Sequence, residues 1–177
     1  MKVIALYGAG GTGKTTTLNL LNNLINPDNP ITDGKDHRRT FTYKGKTISI
    51  TTPGDNETEV KKNIQYVQDK NCDILVTASR TKGYGKDCLE KFSKNIRWIK
   101  KNVADQQEQD LVNKTQAADL QAIIDDVINE LNAKEASASP TPYGNYSEYT
   151  AIFGYMRNPS CTQNRQNGYM SPRPPAQ

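Results

Sequence analysis

The sequence predicts an α/β fold, a mostly parallel β-sheet with helices on both faces, and three observations predict it. Short apolar runs alternate along the chain with segments of helical period. A glycine-rich turn at residues 8–15 joins the first run to the first helix. Leu, Ile, Val and Phe total 33 of 177 residues, and 31 of those 33 fall within residues 1–136. The material for a core therefore sits in the first three-quarters of the chain, enough for one α/β domain.

Each element has a local cause. Val3–Tyr7 is an apolar run ending at Gly8 and reads as a buried strand. Lys14–Ile25 carries Leu18, Leu21 and Ile25 on one face, and Asn26-Pro27 stops that helix. Residues 26–39 are polar and read as an exposed loop. Thr40–Tyr43 and Thr47–Thr51 alternate polar and apolar residues around Lys44-Gly45-Lys46, the pattern of a β-hairpin. Asn56, with Glu59 three residues on, marks a helix start whose apolar face is Val60, Ile64 and Val67. Ile74–Ala78 is a second buried strand, and Ser79–Lys86 a loop before a short helix holding Leu89 and Phe92. Ile96–Ile99 is the last strand. Gln106–Ala133 is the longest helical pattern, its stripe formed by Leu120, Ile123, Ile124, Val127, Ile128 and Leu131.

From Ser137 the composition changes. Residues 137–177 hold five of the nine tyrosines and six of the nine prolines, and two of the 33 large apolar residues. Such a segment buries too little apolar surface to offset its ordering entropy, so it is expected to be a disordered tail after a domain at 1–136.

Charge and cysteine content narrow the function classes. The net charge is +4, and residues 1–136 carry 20 basic against 18 acidic groups. That balance is too mild for a nucleic-acid footprint. No apolar run is long enough to span a membrane. Cys72, Cys88 and Cys161 lack CxxC spacing and His37 is the only histidine, so a zinc site is not expected. Reduced thiols, the first two packed in the core, fit a cytoplasmic protein.

Chemistry concentrates in Gly8-Ala9-Gly10-Gly11-Thr12-Gly13-Lys14-Thr15, which fits G-x-x-x-x-G-K-[ST] at every fixed position. Glycines let successive backbone N–H groups point inward at phosphate oxygens, and the following helix presents its positive end to the same group. Lys14 supplies a mobile charge to the β- and γ-phosphates, the Thr15 hydroxyl ligates Mg²⁺, and Thr16 is expected to bind the nucleotide with the rest of the loop. Here the chain resembles the P-loop NTPase superfamily, over residues 1–100. The resemblance implies a three-layer doubly wound sheet, Mg²⁺-nucleotide binding and phosphoryl-transfer chemistry.

Further site residues follow from that resemblance. Thr52-Pro53-Gly54-Asp55 is similar to the D-T-P-G turn of translation-type GTPases, with Thr51 standing where those have aspartate. A threonine there would hold a magnesium-bound water without bringing charge. Gly54 would offer its N–H to a γ-phosphate, and Asp55 sits where such families place the water-orienting residue. The same turn is also ordinary helix-capping chemistry. Arg80 and Lys82 lie in a loop beyond a strand's carboxyl end, where they would stabilise transferring phosphate or bind an acidic second substrate; a solvated basic loop has the same composition. Arg38 and Arg39 occupy a switch-like loop, and Trp98 reads as a core residue. Asn102-Val103-Ala104-Asp105 departs from the guanine-reading N-K-x-D at its second position, which favours ATP over GTP.

Three functions are compatible with these residues. The first is a small ATPase whose hydrolysis switches a loop and controls a partner protein, or a homodimer formed across the nucleotide. The second is a small-molecule or nucleotide kinase, and the third a nucleotide sensor without catalysis.

Overall fold

The computed structural model describes residues 1–138. Its elements run β1 (Lys2–Tyr7), α1 (Lys14–Ile25), β2 (Arg38–Tyr43), β3 (Lys46–Thr51), α2 (Glu57–Asp69), β4 (Ile74–Ser79), α3 (Tyr84–Phe92), β5 (Ile96–Lys100) and α4 (Gln109–Ala138). The expected tail lies outside the described residues, apart from its first two positions, which extend α4.

The five strands form one sheet in the order β2-β3-β4-β1-β5, parallel throughout except for the antiparallel β2–β3 pair. Alternate residues of each strand point to opposite faces. Ile4 and Leu6 of β1, with Ile48 and Ile50 of β3, join Leu18 and Leu21 of α1 and Leu120 and Ile124 of α4 in the largest cluster. Val3 packs with Val67 and Leu75, and Ala5 with Val60 and Leu89, on the face covered by α2 and α3. The result is three layers. Right-handed crossovers explain the division. The connection leaving β1 runs toward β3 and puts α1 on one face. Those leaving β3 and β4 run the other way and put α2 and α3 on the opposite one.

The differences from the expected elements have local causes. The hairpin loop is two residues long, because Tyr43 pairs with Lys46 and both Lys44 (φ 48°) and Gly45 (φ 77°) adopt the left-handed backbone of a tight turn. Strand β2 begins at Arg38, inside the expected loop, since Arg38 and Arg39 pair with Thr51 and Ile50. The Arg38 guanidinium is fixed by Glu59 and by Asn63 Oδ1, which accepts from its Nε. Helix α3 starts at Tyr84, which shortens the preceding loop to residues 80–83. Helix α4 starts at Gln109, after a turn in which the amides of Glu108 and Gln109 both donate to the Asp105 carbonyl. The Asn56 cap forms as expected, its side chain accepting from the Glu59 amide at 2.9 Å.

Cys72 is buried beside Val3 and Leu75, and Cys88 is half-buried against Ala5 and Leu89; both are free thiols. Trp98 is half-buried on β5, its ring edge-on to Tyr7 with centroids 6.0 Å apart. Among the described residues no helix is long and apolar enough to cross a membrane.

Candidate functional site

The chain leaves adjacent strands β1 and β4 in opposite directions, so the crevice of this open sheet lies beyond their carboxyl ends. Three loops meet there: residues 8–13 after β1, 52–56 after β3, and 80–83 after β4. A cleft of about 290 Å³ opens between the first two, lined by residues 11–16 together with Asp36, Thr52, Gly54 and Asp55.

Lys14 opens α1 and is 6% exposed. Its ammonium donates to the carbonyls of Ala9 (2.7 Å) and Gly8 (3.2 Å), which folds the side chain along the glycine loop. Burial lowers its pKa; the Asp55 carboxylate opposes that shift and the Arg80 cation adds to it. Gly13 caps α1 with φ 84° and no side-chain hydrogen bond. The first-turn N–H groups of α1 thus have no side-chain cap, and the helix presents them with its positive end toward the cleft. A Cβ at Gly13 would stand 2.8 Å from Asn113 Oδ1, so α4 closes the loop from behind.

Arg80 roofs the loop. Its guanidinium lies against Gly10, where a Cβ would collide with it, and its Nε is 2.9 Å from Asp55 Oδ1. The pair links the loop after β4 to the turn after β3. That turn passes so close to β4 that a Cβ on Gly54 would strike the Ala78 carbonyl, which makes glycine a steric requirement there. Asn63 of α2 holds the turn from below, its amide donating to the Pro53 carbonyl at 2.6 Å.

Two expected site residues lie elsewhere. Thr51 is fully buried, and its hydroxyl donates to Thr77 Oγ1 at 2.8 Å on the α2 side of the sheet. The period-2 alternation of β3 turns Thr51 inward with Ser49, so its hydroxyl does not reach the cleft and the metal role expected of it has no geometric basis. Lys82 is exposed and does not line the cleft; it borders an adjoining recess with Arg80 and Tyr84 that shares Gly54 and Asp55 with the cleft. Arg38 and Arg39 belong to β2 rather than to a loop over the cleft.

Sequence reasoning missed Asp36 and Thr52. The Thr15 and Thr52 hydroxyls each donate to Asp36 Oδ1 at 3.0 Å. The only available signal was one of three aspartates in a polar loop, and its contact with Thr15, 21 residues away, depends on the fold. Lys101 was also missed. It is 2% exposed at the end of β5, beside Gly8, and burial lowers its pKa.

Chemically, the cleft combines uncapped helix amides, a buried ammonium and hard oxygen donors. That set suits a multivalent oxyanion accompanied by a hard divalent cation. No protein-family model matches the chain, and no curated protein matches it.

Proposed function

We propose that this protein binds a magnesium nucleoside triphosphate, ATP in preference to GTP, on the Gly8–Thr15 loop and hydrolyses it as a small switch-type ATPase acting on a partner protein. One observation carries the reading: the glycine loop stands at the switch point of the sheet, with Lys14 folded along it and the uncapped start of α1 behind it. In this reading the loop amides and Lys14 hold the phosphates. Thr15 supplies a hard oxygen to magnesium, which would neutralise phosphate charge when bound.

Arg80 and Asp55 provide the moving part of the proposal. Their ion pair spans two loops over Gly10. A γ-phosphate in the cleft competes with Asp55 for the guanidinium. The freed carboxylate is then available to orient water, and the Thr52–Asp55 turn carries the change to α2 through Asn63. The reading implies a cytoplasmic setting, where magnesium nucleotides are abundant.

A second reading, an acceptor-dependent kinase, is favoured by a recess of about 340 Å³ beside the glycine loop, lined by Tyr7, Thr81, Lys86 and Trp98. Its size is at the lower end for small-molecule sites.

Phosphate release from Mg-ATP and Mg-GTP, with Lys14→Ala alongside, tests both. Slow release from ATP that falls roughly 100-fold or more in Lys14→Ala supports the switch ATPase. Nucleotide binding without release, with consumption only when an acceptor is added, moves the assignment to the kinase. Absence of binding to either nucleotide refutes both.

A further inference from the structure

Resting on the nucleotide-binding reading, we infer that Asp36, in the segment between α1 and β2, supplies the carboxylate that holds the magnesium ion together with Thr15. Hard divalent cations take carboxylate and hydroxyl oxygens. In the cleft the Thr15 hydroxyl, the Thr52 hydroxyl and Asp36 Oδ1 converge, each hydroxyl 3.0 Å from the carboxylate.

Elimination and charge both point to Asp36. The cleft is lined by two acids, Asp36 and Asp55. Asp55 is paired with Arg80 and, once a phosphate takes that guanidinium, is left to orient water, whereas Asp36 makes no ion pair among the described residues. An uncompensated carboxylate facing a phosphate cradle opposes anion binding unless a cation lies between them. Thr51 is turned into the sheet and brings no charge.

The backbone on either side of Asp36 is tied down, so its carboxylate is pre-placed. Asn19 donates to the Lys35 carbonyl at 3.0 Å, the His37 amide donates to Thr52 Oγ1 at 2.7 Å, and the Thr52 amide donates to the His37 carbonyl at 2.9 Å. The metal's acid therefore comes from the connection between α1 and β2, and a change in the metal is felt by that segment and by the start of β2.

The full chain, titrated with a fluorescent ATP analogue in EDTA and then against Mg²⁺, tests the assignment. Binding of Mn²⁺ in the presence of the analogue, followed by paramagnetic resonance, gives a readout independent of hydrolysis. Wild type binds the analogue more tightly as Mg²⁺ rises. Asp36→Asn binds the metal-free analogue at least as well as wild type, yet needs roughly 10- to 100-fold more Mg²⁺ or Mn²⁺ for half its effect. Asp36→Ala is read alongside and behaves the same way, while Thr51→Ala keeps the wild-type metal midpoint. An unchanged midpoint in both Asp36 variants, with the analogue still bound, overturns the role of Asp36 and leaves nucleotide binding intact. Failure of wild type to bind the analogue with or without metal overturns the nucleotide-binding reading itself, and the role of Asp36 with it.

Discussion

The two faces of the sheet are built differently. Under α1 and α4 lies one continuous apolar cluster that runs from Ile4 to Ile128 and takes in buried residues of three strands and two helices. Under α2 and α3 the apolar contacts divide into two small groups around Val67 and Leu89. Between β3, β4 and α2 the structure instead has a buried polar network. Ser49 meets Thr40 at 2.6 Å and Cys72 at 2.7 Å, Thr51 donates to Thr77, and Asn63 reaches both Thr77 and Pro53. Burial of apolar area is non-directional and gives stability, whereas hydrogen bonds fix geometry. The α1/α4 face therefore carries stability, and the α2 face holds the Thr52–Asp55 turn in place.

The largest effect should come from the continuous face. Leu120→Ala is expected to cost about 2–5 kcal/mol, near the top of that range, because residues from both helices and several strands lose contact at once. Leu89→Ala should fall near the bottom, since the nine-residue α3 can settle into the gap. Urea midpoints of the two variants compare them directly, and the reverse order would break the distinction between the faces.

Next in size is Gly54→Ala, at about 1–3 kcal/mol, because the obstructing atom is the backbone carbonyl of Ala78 and cannot turn aside. Gly10→Ala makes a useful contrast. Its obstacle is the end of the Arg80 side chain, which can swing away, so stability changes by less than roughly 0.5 kcal/mol while the Arg80–Asp55 pair loosens. Thermal melts separate the two substitutions.

Asn63→Ala leaves the Pro53 carbonyl without its buried donor and is expected to cost about 1–2 kcal/mol. Amide exchange at Gly54 and Asp55 should quicken, while amides in α1 and α4 keep their protection. Uniform loss of protection would show that the turn is not a separate unit.

The smallest effect concerns alkaline pH. Burial lowers the pKa of Lys14 and Lys101 below the ordinary lysine value of 10.5. The unfolded chain then holds these protons more tightly than the folded one. Their contribution to stability therefore rises as pH climbs through the lowered values toward 10.5. Lys101→Met should flatten that rise in denaturation curves taken between neutral and alkaline pH.

Much of this organisation was legible in the sequence, and the exceptions share a cause. Apolar runs located the strands buried on both faces, and period-2 and period-3.6 patterns located the hairpin and the four helices, each of which buries one face. The glycine loop was legible since its residue types and spacing are contiguous. Thr51 was misplaced because resemblance to a known turn assigned it a role, whereas the pleat of β3 decides which neighbour, Thr51 or Thr52, faces the cleft. Asp36 meets Thr15, and Lys101 lies against Gly8, only through the fold, so no local pattern marks them.

The outermost strands bear on how molecules meet one another. A sheet ends in a row of unpaired amides and carbonyls that invites a neighbour to extend it. Here β2 keeps Arg39 exposed on one border and β5 keeps Lys100 exposed on the other. Two such borders brought together set cation against cation, a repulsion that weakens as ionic strength rises. Positive side chains on both borders thus oppose edge-to-edge growth of the sheet, most strongly in dilute buffer.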